Sequence, residues 1–280
     1  KGACGSPRGA QRLVGDAVKQ AHRLLGDDRP VLVRMDSAYY GRDAVHAAIT
    51  GRAAVSVTVR LDPAVKAAIA SIEQGAWTPI RYPNAIFDET TGTWVSNAEV
   101  AEVPYTAFTS RKKADQVTGR LVVRRIPDVH ASKNQAAGQG ALFDLWRFHA
   151  FFTTVPADQL DTVAVDVTHR GHAIIEQVHA DLKASALAHL PSGRFTANSA
   201  WLVLAVITFN LTRAAAALTE APELVRATTA TVRRKLIHVP ARVASSARRI
   251  TLHLPHAWPW QQAWTHLFDR VADPPVTAST

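Results

Sequence analysis

Four polar side chains, His169, His172, Glu176 and Lys183, recur at intervals of three, four and seven residues. At about 100° per residue such positions stack on one face of an α-helix. Ile174, Ile175, Val178 and Leu182 fall on the other side, so the spacing predicts an amphipathic helix that buries its apolar face and presents Glu176 opposite. Far upstream, Asp36 closes the run Val31-Leu32-Val33-Arg34-Met35. This run is short, apolar and rich in β-branched residues, which predicts a buried strand, and the C-terminal end of such a strand is where α/β sites are usually built. Two carboxylates brought together by folding would supply the hard oxygen ligands that magnesium prefers. The same residues carry other readings. Asp36 suits a turn or a helix cap, Glu176 and Lys183 suit a solvated helix face, and His169, His172 and His179 beside Glu176 form a donor set that suits zinc.

The chain that must position these groups has 280 residues, 47% of them hydrophobic, enough for a sizeable core in one large or two smaller domains. A disordered protein is excluded. The net charge of +9 and a pI near 10.1 favour a polyanionic partner, nucleic acid first, because neutralised phosphates release condensed counterions. The single cysteine, Cys4, rules out an internal disulfide framework and fits a reducing cytosol. The longest apolar stretch, Ala200 to Phe209, contains Thr208 and ends at Asn210. It falls short of the roughly 20 residues that a bilayer requires, and the reading is a core helix with no membrane partner. The sequence opens Lys1-Gly2-Ala3-Cys4-Gly5 and its one methionine is Met35, so a fragment lacking its N-terminal part is expected.

Along the chain, helical spacing over Arg12–Leu25 is stopped by Asp27, Asp28 and Pro30. Arg42–Ile49 predicts a second helix ended by Gly51, and Ala54–Arg60 a second strand with alternating Val55, Val57 and Val59. Asp62-Pro63 starts a third helix, with Asp at the cap and Pro in the first turn. Alternating strand and helix imply an α/β layered core. From Trp77 to about Pro156 come β-leaning pieces, Thr78–Tyr82, Thr93–Val95, Val100–Phe108, Leu121–Ile126 and Leu142–Thr154, which read as an insertion. Ser132–Gly140 is its expected mobile loop. Trp146 could stack on a displaced base, while its neighbours Leu142, Phe143, Phe148, Phe151 and Phe152 favour a hydrophobic core. Helical periodicity then runs over Ala157–Ala188 and, past Pro191-Ser192-Gly193, over Thr196–Leu218 with Thr196 as a cap. The tail from Pro222 carries Arg226, Arg233, Arg234, Lys235, Arg242, Arg248 and Arg249, which suit either a solvated surface or contacts to a DNA backbone.

Asp36 at a strand end, a β-rich insertion, and Glu176 with Lys183 seven residues on resemble the bacterial insertion-sequence DDE transposases, whose signature is Tyr-x2-Arg-x3-Glu-x6-Lys. The strings His172-Ala173-Ile174-Ile175-Glu176-Gln177-Val178-His179-Ala180-Asp181-Leu182-Lys183 and Ala186-Leu187-Ala188-His189-Leu190-Pro191-Ser192-Gly193-Arg194-Phe195 carry the likeness furthest. His169 stands where the signature has tyrosine and His172 where it has arginine, with Arg170 close by. The resemblance implies an α/β, ribonuclease-H-like (retroviral-integrase-like) core. That core would be N-terminally incomplete, interrupted by the β-rich insertion and followed by long helices. Its divisions would be a partial catalytic core over 1–75, the insertion over 76–156, the helical remainder over 157–220 and a basic region over 221–280. It implies cleavage of transposon ends and strand transfer by metal-dependent phosphoryl transfer. Asp36 and Glu176 would be catalytic and would ligate Mg²⁺ or Mn²⁺, two ions in the complete enzyme. Lys183, His172, Arg170 and His169 would contact DNA. The first aspartate of the triad has no candidate, since Asp16 lies in a predicted helix and Asp27 and Asp28 in a turn. Double-stranded DNA as partner, a homo-oligomer when complete and a cytoplasmic, nucleoid-associated location follow. A catalytically inactive DNA-binding remnant and a zinc hydrolase are the competing readings.

Overall fold

The computed structural model describes residues 8–80, 86–88, 93–95, 98–127, 146–171 and 174–272, and the chain divides into two compact units, Lys1–His172 and Ala173–Thr280. The first unit runs α1 (Ala10–Leu25), β1 (Leu32–Met35), a 3₁₀ turn (Ser37–Tyr39), α2 (Arg42–Thr50), β2 (Ala54–Thr58) and α3 (Pro63–Ala70). It continues β3 (Thr78–Ile80), β4 (Ile86–Asp88), β5 (Thr93–Val95), β6 (Ala98–Ala107), β7 (Val117–Pro127), β8 (Trp146–Thr153) and α4 (Thr162–Arg170). The expected cap at Asp62 forms: its carboxylate accepts from the Val65 N–H at 2.9 Å, with Pro63 in the first turn.

Six strands make one mixed sheet in the order β1-β2-β8-β7-β6-β3. β1 and β2 are parallel, and the other neighbours are antiparallel. The β-leaning stretch after Trp77 therefore continues the sheet edge to edge, apart from the small β4–β5 ribbon. Successive strand residues point to opposite faces, and the two cores divide accordingly. On one face Met35, Val55, Val57, Leu121, Val123 and Phe152 pack with Val18 of α1 and Val45 of α2. On the other, Val100, Val122 and Phe151 pack with Val165 of α4. Gly119 of β7 permits a close backbone approach, because a Cβ there would stand 2.4 Å from the Thr153 carbonyl oxygen.

The second unit holds α5 (Ile174–Lys183), α6 (Phe195–Leu218), the short helices α7 (Pro222–Val225) and α8 (Thr229–Val232), and a π-helical turn (Arg233–Ile237). A hairpin of β9 (Arg242–Ser246) and β10 (Arg249–His253) and a last helix, α9 (Gln261–Ala272), complete it. Its core gathers Ala216, Leu224, Val232, Leu236 and Ala263, with Trp260, Trp264 and Leu267 around them.

Three expectations need correction. The periodicity over 157–188 does not give one helix: α4 ends at Arg170, and α5 begins at Ile174. The helix after Pro191-Ser192-Gly193 keeps close to its expected span but is largely exposed rather than a buried core helix. α6 spans 24 residues, is long and apolar enough to cross a bilayer, and is 17% buried over that window. Thr208 does not interrupt it, because its hydroxyl donates to the Leu204 carbonyl one turn back, as Thr212 does to Thr208. The cap at its start is Arg194, with no side-chain hydrogen bond, rather than Thr196. The predicted loop Ser132–Gly140 lies outside the described residues.

Candidate active site

Asp36 follows the last residue of β1, as its place in the sequence predicts. It is exposed and caps the 3₁₀ turn, its Oδ1 accepting from the Ala38 N–H at 2.8 Å. The cap reading and the ligand reading are compatible, because the second carboxylate oxygen has no hydrogen-bond partner among the described residues. By strand alternation Asp36 is in phase with Leu32 and Arg34, on the sheet face that α4 covers.

That face organises the end of α4. The Arg34 guanidinium donates to the Thr168 carbonyl at 2.7 Å, satisfying one of the acceptors that a helix leaves open at its C-terminus. Gly171, next after the helix, leaves room for this, since a Cβ there would lie 2.5 Å from Arg34 Nη1. His169 Nδ1 pairs with the Ser56 hydroxyl at 2.7 Å and Nε2 with the Thr58 hydroxyl at 3.1 Å, while its ring stacks on Phe151 at 4.0 Å. Asp166, fully buried, accepts from Arg124 of β7 and from Arg170, each at 2.9 Å or less. The last turn of α4 is thus fastened to β1, β2, β8 and β7. Near this network, desolvation and then the charges of Arg124 and Arg147 hold His149 below the usual histidine range.

These contacts alter the expected stripe. His169 and Arg170 belong to α4, Glu176 and Lys183 to α5, and His172 lies outside the described residues. His169 has both ring nitrogens engaged within the first unit, which also leaves it unavailable to a zinc set with His179. Among the described residues no group of three or more His, Cys, Asp or Glu could hold a metal ion.

On α5, Val178, Asp181 and Leu182 turn inward, while Glu176, His179 and Lys183 are exposed. Seven residues put Glu176 and Lys183 two turns apart on one face, about 10 Å along the axis. Asp181 is 9% exposed and accepts from both the Thr229 N–H and the Thr229 hydroxyl, at 2.8 and 2.7 Å. It fixes α5 to the start of α8. An acid in phase with Val178 and Leu182 on the apolar side was the signal for this anchor.

Beside the turn that Asp36 caps, a cleft of about 680 Å³ is lined by Tyr39, by Arg8, Arg12, Arg42 and Arg111, and by the carboxylates Asp43 and Asp115. Arg42 is paired with Asp115 at 2.9 Å and with Asp43. One face of Trp146 is taken by the Arg125 guanidinium, which lies 4.4 Å from its ring and 4.2 Å from that of Trp77. Phe151 and Phe152 are core residues, whereas Leu142 and Phe143 lie outside the described residues.

As donors, Asp36 and Glu176 offer exposed carboxylates with oxygen atoms left over, which fits a hard divalent ion such as magnesium. The model of the family described as transposase DDE domain group 1 matches residues 10–275. No curated protein matches the chain. Covering nearly all of the sequence, including the β1 aspartate and the α5 glutamate, the match shows that the chain belongs to the DDE transposases of insertion-sequence type.

Proposed function

We propose that this chain carries the catalytic core of a DNA transposase that cuts transposon ends and joins them to target DNA. Membership of the DDE family supports transposase function, nucleotidyl transfer and, in general, DNA binding and divalent-metal dependence. The further reading is of a ribonuclease-H-like core. Asp36 and Glu176 would hold Mg²⁺ or Mn²⁺, and a third carboxylate would come from a strand laid along the edge of β1 opposite β2. In support, that edge carries no strand among the described residues, while Asp16 lies on α1 and Asp27 and Asp28 in the turn after it. When bound, the metal would polarise a phosphoryl oxygen and activate the attacking hydroxyl.

The chain's own residues divide the remaining work. Asp36 and Glu176 supply negative charge. Lys183, two turns beyond Glu176, holds a backbone phosphate as a compact cation. His172 and Arg170 are placed in the sequence to approach the same strand, although Arg170 also braces Asp166. His169 acts through packing, keeping the end of α4 on the sheet. The cleft arginines next to Tyr39 offer a path for the DNA backbone toward Asp36.

The observation that carries this reading is the phase of β1. It puts Asp36 at the strand end on the same face as Arg34, and Arg34 secures the C-terminal turn of α4 on that face. The test is end cleavage by the complete transposase in magnesium with Asp36→Asn and Glu176→Gln, which keep size and remove ligand charge. Each is expected to abolish cleavage while DNA binding stays near wild type. Cleavage surviving either change removes that residue from the mechanism.

A further inference from the structure

The β9–β10 hairpin is a two-stranded ribbon with one chemically distinct face. Directly opposed residues of an antiparallel pair share a face, and the register opposes Arg242 to His253, Ala244 to Thr251 and Ser246 to Arg249. Those six side chains, basic, hydroxylic or small, form one side. Val243, Ser245, Ile250 and Leu252 form the other. All of these except Ala244 are exposed, and Val243, Ile250 and Leu252 are 65, 73 and 61% exposed. A lone hairpin is marginal in water, so this one needs an occupant to hold it.

Charge identifies the occupant. Between Glu223 and Asp269 the sequence holds Arg226, Arg233, Arg234, Lys235, Arg242, Arg248 and Arg249 and no acidic residue. Lys235 is partly occupied, lying 3.7 Å over the Trp260 ring. The turn adds a second observation. Its two central residues, Ala247 and Arg248, both have left-handed backbones with φ of 46° and 63°. Hairpin turns of this kind favour Asn-Gly, and an arginine held there at a backbone cost projects a cation from the tip of the ribbon.

We propose that the β9–β10 ribbon is a DNA-binding element, its Arg242, Arg249 and His253 face laid against duplex DNA and Arg248 reaching a phosphate from the tip. A two-stranded ribbon has a width that the major groove admits. The arginines hold phosphates on either side, and Ser246 and Thr251 face the groove with hydroxyls that both donate and accept. This inference rests on the transposase reading of the chain and names a contact surface outside Asp36, Glu176 and Lys183.

The test is fluorescence anisotropy of a labelled duplex with the full chain across a salt series. Compared are wild type, Arg242→Ala/Arg249→Ala, and a control that removes the same charge from exposed α-helical sites in the first unit, Lys19→Ala/Lys66→Ala. The ribbon variant is expected to bind about tenfold more weakly, with the slope of log affinity against log salt reduced by roughly 1.8, two contacts at about 0.9 each. Arg242→Lys/Arg249→Lys should keep most of the slope. An Ala247→Cys chain in a Cys4→Ser background, carrying a photoactivatable group, should cross-link to DNA. Wild-type affinity and slope in the ribbon variant, or equal losses in the control, overturn the ribbon's role and leave the transposase reading intact. Cross-linking to a second copy of the chain instead of DNA also overturns it. If wild type itself binds no DNA, the reading beneath the proposal has failed, and the ribbon's role with it.

Discussion

Arg34 and Thr168, 134 positions apart, meet at 2.7 Å, guanidinium to carbonyl, and this bond couples the strand that ends in Asp36 to the last turn of α4. A charged donor inside a four-residue strand between Val33 and Met35 is costly unless its partner is fixed. Arg34→Ala is expected to destabilise the first unit by about 1.5–3 kcal/mol, the range for a hydrogen bond to a charged group. Arg34→Lys should recover part of this. Gly171→Ala should act in the same direction more mildly, because the new methyl meets the end of a long side chain rather than backbone. Urea unfolding of the three variants checks the order, and an unchanged midpoint in Arg34→Ala would remove the tie.

Asp166 is wholly buried between Arg124 and Arg170. Removing one member of such a group leaves uncompensated charge inside the protein. Asp166→Ala is therefore expected to cost about 3–5 kcal/mol. Asp166→Asn should cost nearly as much, since a neutral amide keeps an acceptor but not the charge. Thermal and denaturant unfolding measure it, and a loss below about 1 kcal/mol in both variants would show that the two arginines find other acceptors.

How far the sequence reveals this arrangement depends on the range of the forces involved. Local signals are legible: the β-branched alternation of Val55 and Val57 gives β2, Asp62-Pro63 starts α3, and Gly51 ends α2. The split between α4 and α5 is not legible from periodicity, because the apolar spacing runs on through Gly171. At that end α4 meets a side chain from β1, Arg34, which donates to the Thr168 carbonyl and lies against Gly171, 137 positions downstream. His169 misleads for the same reason. Its spacing to Glu176 suits a common stripe, but its partners Ser56, Thr58 and Phe151 lie on strands that only the tertiary fold brings near. Asp36 and Glu176 sit on the elements expected of them, and their exposure is what the sequence could anticipate. Asp166 and Asp181 are hard to read as anchors from sequence, because an acid on a helix ordinarily belongs to its solvated face.

Tyr40 gives a pH-dependent signal near the Asp36 turn. Burial first, then Tyr105 and Asp62, push its hydroxyl well above the ordinary tyrosine value of 10.0, and Tyr105 is raised too, chiefly by burial. A folded-state pKa above the unfolded value means that this stabilising contribution is fully present below pH 10 and declines as pH rises beyond it. Unfolding midpoints should therefore fall on going above pH 10, and Tyr40→Phe, which retains the ring stacked on Phe108 at 5.2 Å, should flatten the fall. Parallel curves for the two proteins would assign the alkaline loss elsewhere.

Lys183 separates holding DNA from holding metal. Its ammonium cannot ligate a cation, so in the complete transposase Lys183→Ala should weaken transposon-end binding and cleavage without changing metal affinity, and Lys183→Arg should restore part of the loss because charge is kept while reach and donor geometry change. The side chain is exposed at the last turn of α5, so a merely solvated role predicts a stability change within about 0.5 kcal/mol and no effect on DNA. Metal titration followed alongside end binding decides the matter. Wild-type end binding and cleavage in Lys183→Ala would end the phosphate-clamp role. Lost metal binding would show that Lys183 serves the carboxylates instead, since only a group close to both ligands could disturb their affinity without touching the metal itself.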